Sequence, residues 1–512
     1  MQKYIPIYID VILSQKFIMT TTSKTIYNDS LSLLTDFYQL SMAYAWWKNG
    51  LKDVMATYHL FFRKNPFGGG YAIACGLNQF VEVINAWDFN MSTWEALGRA
   101  KHEFLEPIRD REFLNYLKNL KAKINLKAIP DGTVVFANEP IIQIQAPIIL
   151  GQMLESIALN IFGYETLIAT KASRIKYVSG NDKVMEFGLR RAHGFDGALS
   201  ASYAAYIGGC DATSNTLASI KYGIPLEGTI AHSFIMSFDS EEEAFKAYAR
   251  TFPQNTIFLV DTYNSLNAVK KLVNLKPWFN ENNYKISGIR LDSGDLAYLS
   301  IQARKILDEN GLSDTKIIAS NDLDENIIYS LKQQNARIDA WGVGTKLVTA
   351  YDQPALGCVY KLSAILKNSN HWEYKLKLSE QTFKISHPGI LNIKRFINST
   401  TNNFLADMIF DENILDQKAS YIIDPEDFTR RRPVNRPNEK PVELLVPIFQ
   451  NGQFVYSKPS IKAIKENVAN QLNSLHPTSK RLLNPHQYPV GLEENLYNLK
   501  TQLILEARQN YR

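Results

Sequence analysis

The chain has few cysteines and no long hydrophobic run. Three cysteines occur in 512 residues, and none belongs to a C-x-x-C pair; they are Cys75, Cys210 and Cys358. Their wide spacing argues against a disulfide framework or a cysteine-rich zinc site and favours the reducing cytoplasm. The apolar stretch at 4–13 is too short to span a membrane and is interrupted by Asp10, so neither an anchor nor a signal peptide is expected.

Other absences narrow the range of functions. The formal net charge is only +5, so nothing in the composition calls for nucleic acid or an anionic membrane as a partner. No G-x-x-x-x-G-K-[ST] sequence occurs, which excludes a P-loop for ATP. No H-x-H pair occurs among the eight histidines, which disfavours a metal-dependent barrel hydrolase. That hydrolase stays an alternative, because His232, Asp261 and Asp292 could be metal ligands at strand ends.

Length and composition indicate a globular protein of two or three structural units. The hydrophobic fraction is 45%, enough for a large core. A hairpin is predicted at 54–77, where the glycines at 68–70 permit a turn. We expect the following division: 1–30, an extension before the folded protein; 31–150, an N-terminal flanking α+β domain; 151–355, a βα-barrel catalytic domain; 356–512, a β-rich and then helical portion that packs with the N-terminal domain.

Strand and helix patterns alternate between residues 183 and 348, which predicts parallel βαβ units. The predicted strands are "KVMEFGLRR", "EGTIAHSF", "TIFLVDTYN", "KISGIRLDSGD", "TKIIASND" and "IDAWGVGT". The predicted helices are "SEEEAFKAYART", "SLNAVKKLV", "DLAYLSIQARKILDENG" and "DENIIYSLKQQ".

Polar residues end these strands at a regular spacing. His232, Asp261, Asp292 and Asn321 follow one another by 29, 31 and 29 residues, about one βα unit per step. In a βα barrel the carboxyl ends of all strands lie on one face, whereas an open sheet gathers them only at its switch point. The succession of charged strand ends favours the barrel and predicts that these side chains converge.

Two short motifs have chemical as well as structural interpretations. "GVGT" at 342–345 follows the last predicted strand, where barrel enzymes often bind phosphate, but a Gly-x-Gly turn also serves packing alone. "RLDSGD" places Arg290 and Asp292 on one strand face, suited to a carboxylate, a phosphate or a developing cation. An internal ion pair with Asp295 as a helix cap is the structural alternative.

His232 in "GTIAHSF" has three interpretations from the residues alone. A histidine hydrogen-bonded to a neighbouring acid is the commoner case. A general acid or base, and a nucleophile that forms a phosphohistidine, are the functional alternatives. The sequence alone does not choose among them.

A set of ordered motifs is similar to the nicotinate phosphoribosyltransferase family, one of the type II phosphoribosyltransferases. The resemblance covers about residues 33 to 390, and the motifs are "LLTDFYQLSMAYAWW", "FFRKNPFGGGYAIACGL", "EFGLRRAHGFDGALSASYAAYIGGCDATSN", "GTIAHSF", "LVDTYN", "IRLDSGDL" and "GVGTKLVTAYDQPALGCVYKL". The resemblance implies an irregular, incomplete βα barrel with a flanking sandwich-like α+β domain formed by the N- and C-terminal portions.

The resemblance also implies the reaction. The family joins nicotinate to phosphoribosyl pyrophosphate, forming nicotinate mononucleotide and pyrophosphate for NAD biosynthesis and salvage, with coupled ATP hydrolysis. Mg²⁺ and ATP are therefore the expected cofactor and coupled substrate, and a cytoplasmic homodimer with shared active sites is the expected assembly. Nicotinamide phosphoribosyltransferase stays the nearest alternative, because Arg290 could also meet an amide oxygen.

Site residues follow from the resemblance position by position. His232 matches the phosphorylated histidine, Arg290 the arginine that reaches the ring substituent, and Phe187 one face of the ring site. Tyr38 matches a tyrosine that stacks on the pyridine from the neighbouring subunit. The residues implied for the phosphates and ribose of the donor are Arg190, Asp292, Gly342, Gly344 and Thr345. Asp211 is expected beside the pyridine substituent. The protein ligands of Mg²⁺ are left open, as is a donor-binding contribution from Lys377 and Lys384.

Overall fold

The computed structural model describes residues 31–87, 110–367, 371–381, 384–416, 419 and 421–510. The predicted extension at 1–30 lies outside the described residues. The strands are β1 (Met55–Phe62), β2 (Ala72–Ile73), β3 (Asn125–Ala128), β4 (Val134–Val135), β5 (Ile142–Pro147), β6 (Lys183–Glu186), β7 (Ala212–Thr213), β8 (Thr256–Leu259), β9 (Ile286–Leu291), β10 (Lys316–Ser320), β11 (Ala340–Val343), β12 (Cys358–Leu366), β13 (Glu373–Tyr374), β14 (Leu391–Asn398), β15 (Phe404–Asp411), β16 (Tyr421–Ile423), β17 (Arg431–Pro433), β18 (Glu439–Glu443), β19 (Val446–Gln450), β20 (Gln453–Phe454) and β21 (Val490–Glu493).

Helices connect and cover these strands. The α-helices are α1 (Phe37–Lys48), α2 (Leu77–Ala86), α3 (Arg111–Lys118), α4 (Ile148–Met153), α5 (Glu155–Ser179), α6 (Phe195–Gly208), α7 (Thr216–Tyr222), α8 (His232–Met236), α9 (Glu241–Thr251), α10 (Ser265–Asn274), α11 (Lys276–Glu281), α12 (Leu296–Glu309), α13 (Glu325–Gln333), α14 (Thr345–Val348), α15 (Ile461–Ser474) and α16 (Glu494–Asn510). Single 3-10 turns occupy Leu31–Leu33, Pro66–Gly68, Leu120–Lys123, Leu189–Arg191 and Pro477–Lys480.

A parallel six-stranded sheet, here called the barrel sheet, contains the predicted βα units. Its strand order is β7, β6, β11, β10, β9, β8, and the neighbours pair in parallel. In chain order β8, β9, β10 and β11 pair one after another, β11 then pairs with β6, and β6 pairs with β7. A closed barrel would also need β7 to pair with β8, and these two strands do not pair within the described residues. The sheet is therefore an incomplete barrel with one open seam, and the predicted fold class is confirmed.

Local sequence explains why a helix follows each of three strands of the barrel sheet. The side chains of Asn264, Asp295 and Asp324 each accept a hydrogen bond from the backbone N–H three residues later, at the starts of α10, α12 and α13. Such caps satisfy backbone donors that have no partner within the helix. Asp295 of "RLDSGD" is thus a helix cap, as its structural interpretation predicted.

Two local predictions are wrong. Residues 227–231 of "EGTIAHSF" form no strand, and His232 is the first residue of α8. The short β7, which was not predicted, takes the place beside β6, and its Thr213 bridges to Leu226. The hairpin at 54–77 is also absent, because β1 pairs with β5 and β12 while β2 pairs with β4. Strand pairing depends on distant partners, which the glycines at 68–70 do not reveal.

Both ends of the folded chain build a second, seven-stranded sheet, here called the flanking sheet. Its order is β13, β12, β1, β5, β3, β19, β20, so three strands from before residue 150 lie in the middle and two strands from after residue 355 lie on each side. A third sheet of order β17, β16, β21, β15, β14, β18 belongs to the C-terminal portion. The largely buried helix α5 packs against α6 and joins the flanking sheet to the barrel sheet.

Candidate active site

The carboxyl ends of β9 and β10 bring an arginine, an aspartate and a serine into one hydrogen-bonded group. Arg290 Nη2 donates to Asp292 Oδ1 at 2.8 Å, and Arg290 Nε donates to Ser320 Oγ at 2.8 Å. Ser320 Oγ donates in turn to Asp292 Oδ1. Arg290 Nη1 donates to Thr229 Oγ1 at 2.8 Å. Parallel pairing of β9 with β10 explains the convergence, because both strands end at the same edge.

Asp292 is held in its ionised form. Partial burial acts to raise its pKa, but the hydrogen bond from Ser320 and the charge of Arg290 outweigh burial, so the pKa of Asp292 lies below its ordinary value. The neighbouring Asp261, just after β8, accepts from the Asp292 backbone N–H at 3.0 Å and from Ser293 Oγ at 2.6 Å. The edge therefore carries two carboxylates and one guanidinium.

His232 lies next to this group, across the open seam of the barrel sheet. Its Nδ1 is 3.3 Å from Thr262 Oγ1, and its Nε2 is 3.8 Å from Asp292 Oδ2. The side chain is 41% exposed, so a ring nitrogen remains open to a ligand. The structure thus combines the hydrogen-bonded histidine of the structural interpretation with the access that a nucleophile needs.

Phe187 forms an aromatic surface beside Arg290. The residue follows β6, its backbone N–H donates to Val343 O at 2.7 Å, and the Arg290 guanidinium carbon lies 5.8 Å from the ring centroid. Gly342 makes room for the ring, since a Cβ there would lie 2.7 Å from two ring carbons. At Gly344 a Cβ would lie 3.1 Å from the Phe187 carbonyl oxygen. The "GVGT" turn therefore has a packing role whether or not it binds phosphate.

Arg190 and Thr345 lie at the same edge. Arg190 belongs to the exposed turn Leu189–Arg191 after β6, and Thr345 begins α14 after β11. Because β6 and β11 are parallel neighbours, both residues follow strands that end at the same edge as Phe187. A basic side chain and a partly exposed hydroxyl near exposed backbone are suited to phosphate oxygens.

Asp211 is not brought to this edge. Its carboxylate accepts from the Val184 N–H at 3.0 Å, next to the start of β6, and pairs with Lys176 at 2.9 Å and Lys465 at 3.0 Å. Partial burial acts to raise the pKa of Asp211, but the Val184 N–H and the two lysines lower it overall. The structure gives Asp211 a structural role between α5 and α15.

Tyr38 lies elsewhere on the chain surface, near the start of α1. Its side chain is half exposed, and its hydroxyl donates to Glu155 Oε2 at 2.8 Å. Partial burial and the neighbouring Glu155 carboxylate raise the pKa of Tyr38 to about 12, so the ring stays a neutral phenol.

Several polar groups in or near the site were not predicted. Thr229, Thr262 and Ser320 contact the predicted residues. Ser320 ends β10 and Thr262 follows β8, whereas Thr229 lies in a segment without a strand and gave no such signal. Lys377 was a candidate, but its grouping with Arg63, just after β1, and Lys361 of β12 was not predicted. In this basic cluster, burial and the charges of Lys377 and Arg63 lower the pKa of Lys361.

Comparison with known proteins assigns the family. The nicotinate phosphoribosyltransferase N-terminal domain matches residues 33–162, the family model matches 183–395, and the C-terminal domain matches 392–500. The chain belongs to the nicotinate phosphoribosyltransferase family. The family match extends to the C-terminal third, beyond the motifs that carried the resemblance.

Relatives with this name cover nearly the whole chain. Nicotinate phosphoribosyltransferase of Bacillus subtilis (strain 168) is 42% identical, over 94% of this chain and 96% of its own. The Dictyostelium discoideum protein of the same name is 35% identical, over 93% of this chain and 88% of its own. The crystal structure of human nicotinic acid phosphoribosyltransferase superposes with a TM-score of 0.80 at 29% identity, covering 92% of this chain and 99% of that one.

The alternatives are not favoured by these findings. The named relatives are nicotinate phosphoribosyltransferases, and the residues that the structure describes contain no group of three His, Cys, Asp or Glu side chains suited to a metal. A metal-dependent hydrolase therefore lacks its ligand set in the described part of the chain. No helix within the described ranges is long and apolar enough to cross a membrane.

Proposed function

We propose that this protein transfers the phosphoribosyl group of phosphoribosyl pyrophosphate to nicotinate, forming nicotinate mononucleotide and pyrophosphate for NAD biosynthesis. The observation that carries the proposal is the Arg290 guanidinium beside the Phe187 ring, at the strand ends of a chain of this family. A pyridine ring that carries a carboxylate needs an aromatic surface and a cation about one ring away, and this edge offers both.

Nicotinate binds with its ring on Phe187 and its carboxylate toward Arg290. Tyr38 of a second copy covers the other ring face, because a half-exposed aromatic side chain suits an intersubunit contact. The active enzyme is therefore a homodimer with shared sites. Nicotinamide is the weaker substrate, since a neutral amide gains less from the guanidinium.

The donor binds along the strand ends. Arg190 and the backbone and side chains at Gly342, Gly344 and Thr345 hold its phosphates and ribose, while ionised Asp292 stabilises positive charge at C1 as pyrophosphate leaves. Lys377, whose charge acts on Lys361 together with that of Arg63, adds to the positive charge available to a polyphosphate.

ATP hydrolysis is coupled through His232. A ring nitrogen accepts the γ-phosphoryl group, ADP leaves, and water later releases phosphate from the histidine. Support comes from the exposed ring, with Thr262 at Nδ1 and ionised Asp292 near Nε2 to orient it. A phosphoryl group on His232 would add negative charge beside Asp292 and Asp261, so its presence changes how strongly the edge binds a donor.

Mg²⁺ fits the donor set of this edge. Asp261 Oδ1 is buried and has no hydrogen-bond partner among the described residues, and Asp292 lies beside it. One or two carboxylates with substrate phosphates and water are the usual ligands of Mg²⁺. When bound, the ion neutralises the charge of the leaving pyrophosphate.

The cysteines support a cytoplasmic location. Cys75, Cys210 and Cys358 are all free, and Cys75 and Cys210 are buried. Such thiols are typical of a reducing compartment.

The test is a product assay with nicotinate, phosphoribosyl pyrophosphate and Mg²⁺, with and without ATP. We expect nicotinate mononucleotide to form, ATP to stimulate its formation, and His232→Ala to lose the stimulation. His476→Ala, a variant of an exposed histidine at the turn Pro477–Lys480, is the control and should keep it. Turnover of nicotinamide but not of nicotinate would replace the substrate assignment, and no turnover of either would reject the function.

A further inference from the structure

Hydroxyl groups hold the guanidinium of Arg290 from two directions. Ser320 Oγ accepts from Nε and Thr229 Oγ1 accepts from Nη1, both at 2.8 Å, while Asp292 accepts from Nη2. The Arg290 side chain is only 13% exposed. Because the Arg290 backbone lies in β9 and all three guanidinium nitrogens donate hydrogen bonds, the guanidinium is held in one orientation.

Ser320 is the buried member of this arrangement. It is the last residue of β10, its exposed fraction is 4%, and its hydroxyl is shared between two opposite charges. The oxygen accepts from Arg290, and the proton is donated to Asp292. A hydroxyl can serve both in this way, whereas a methyl group can serve neither. Ser320 therefore fixes the distance between the cation and the anion.

The arrangement leaves a defined part of the guanidinium open. A guanidinium has five N–H groups, of which Ser320, Asp292 and Thr229 use three. The two N–H groups that remain are one on Nη1 and one on Nη2. Two N–H groups on neighbouring nitrogens can serve the two oxygens of a carboxylate, whereas an amide offers one oxygen and an NH₂ group that cannot accept a hydrogen bond.

The open N–H groups belong to a guanidinium that lies next to the aromatic surface. The guanidinium carbon lies 5.8 Å from the Phe187 ring centroid, and Ser320 pairs with Gly342, the glycine that makes room for that ring. Four consecutive strands of the barrel sheet thus position this group: β9 carries Arg290, β10 carries Ser320, β11 carries Gly342, and Phe187 follows β6. A pyridine ring on Phe187 brings its substituent to the guanidinium.

We propose that Ser320 and Thr229 are positioning residues for substrate selection. By orienting Arg290 with one N–H open on each terminal nitrogen, they favour the carboxylate of nicotinate over the neutral amide of nicotinamide. The assignment rests on the proposed function, because it concerns how the same site distinguishes two pyridines. Neither residue touches the reacting atoms.

The experiment measures the KM for nicotinate and the inhibition constant of nicotinamide in parallel. The variants are Ser320→Ala and Thr229→Val, and the control is Ser300→Ala. Ser300 lies in α12 and is also buried. Its hydroxyl donates to Ala297 O and accepts from the Arg337 N–H, away from the Arg290 group.

We expect Ser320→Ala to raise the KM for nicotinate about tenfold, the scale of a lost hydrogen bond to a charged group, and to leave the inhibition constant of nicotinamide nearly unchanged. Thr229→Val should act in the same direction, and Ser300→Ala should change neither constant.

Loss of folding is tested separately from loss of selection. Thr229→Val keeps the shape of a partly exposed side chain, so it decides the question if Ser320→Ala does not fold. An unchanged ratio of the two constants in either variant would remove that residue from the proposal. A wild-type protein that does not convert nicotinate would overturn the proposed function and this assignment together, whereas normal wild-type turnover with an unchanged ratio in both variants would overturn only the positioning role.

Discussion

Gly342 lies so close to Phe187 that its lack of a side chain determines where the aromatic ring can be. A Cβ at this position would lie 2.7 Å from Cδ2 and Cε2 of the ring and 3.3 Å from Ser320 Cβ. Such contacts force the neighbouring side chains to move. The glycine therefore determines the position of the Phe187 ring directly, in addition to any exposed backbone that it offers to a ligand.

We predict that Gly342→Ala raises the KM for nicotinate by at least about tenfold, because displacing the ring costs on the order of 1–3 kcal/mol. Steady-state kinetics with varied nicotinate measures the effect. Gly197→Ala is the matched control, since a Cβ at Gly197, in the first turn of α6, meets no atom within 4 Å. An unchanged KM in Gly342→Ala would show that Phe187 is not part of the nicotinate site.

At the scale of elements, the start of β6 is joined to two helices through one carboxylate. Asp211 binds the Val184 N–H, Lys176 of α5 and Lys465 of α15. The contacts lie at the amino end of the strand, and the catalytic edge lies at the carboxyl end. The amino end of β6 thus carries structural ion pairs, and its carboxyl end leads to the residues of the candidate site.

We predict that Asp211→Asn lowers the free energy of unfolding by about 1 kcal/mol, a small figure because water screens partly exposed pairs, and leaves the KM for nicotinate unchanged. The stability difference from wild type should be present above pH 3.8, the ordinary pKa of this carboxyl, and should disappear as the pH falls through its lower folded value. Urea unfolding from pH 6 down to about pH 3 measures this.

The control is Asp53→Asn, which removes an ion pair with Lys123 whose side chains are more than half exposed. Its effect on stability should be near zero. A large rise of the KM for nicotinate in Asp211→Asn would instead return Asp211 to the pyridine substituent, where the family resemblance had placed it.

At the scale of the whole molecule, the flanking sheet unites the two ends of the folded chain. β1 lies between β5 from the N-terminal portion and β12 from the C-terminal portion. Tyr38, on α1, and the Arg63, Lys361 and Lys377 cluster both lie near Glu155, whose charge affects Tyr38 and Lys361. An aromatic ring and cations of the flanking domain therefore share one acidic neighbour.

We predict that mixed dimers of Tyr38→Ala and His232→Ala recover activity. If each site takes Tyr38 from one subunit and His232 from the other, a mixed dimer has one intact site and one site with both changes. Unfolding and refolding an equal mixture should give about a quarter of the ATP-stimulated part of the wild-type activity, since half of the dimers are mixed and each of these has one intact site.

The separately refolded variants are the control for that experiment. Activity of the mixture equal to the mean of the two pure variants would contradict shared sites, and it would place Tyr38 outside the nicotinate site or within its own subunit.

The sequence by itself determined the elements whose signals are local. The helices α9, α10, α12 and α13, the strands β8, β9 and β10 and the cap Asp295 follow from periodicity and from a side chain that binds backbone three residues away. The parallel arrangement also followed, because strands that alternate with helices have few other arrangements. Arg290 and Asp292, at the common edge, could therefore be named in advance, whereas Phe187 was named only through the family resemblance.

Only the tertiary structure decided which strands pair and which polar groups meet. β1 pairs with β12, about 300 residues away along the chain. No strand forms in the residues just before His232, where one was predicted, and Asp211 lies at the amino end of β6. Ser320 and Thr229 likewise reach Arg290 from separate parts of the chain. Backbone pairing and hydroxyl contacts are satisfied by whatever partner the fold brings near, so no nearby residue in the sequence specifies them.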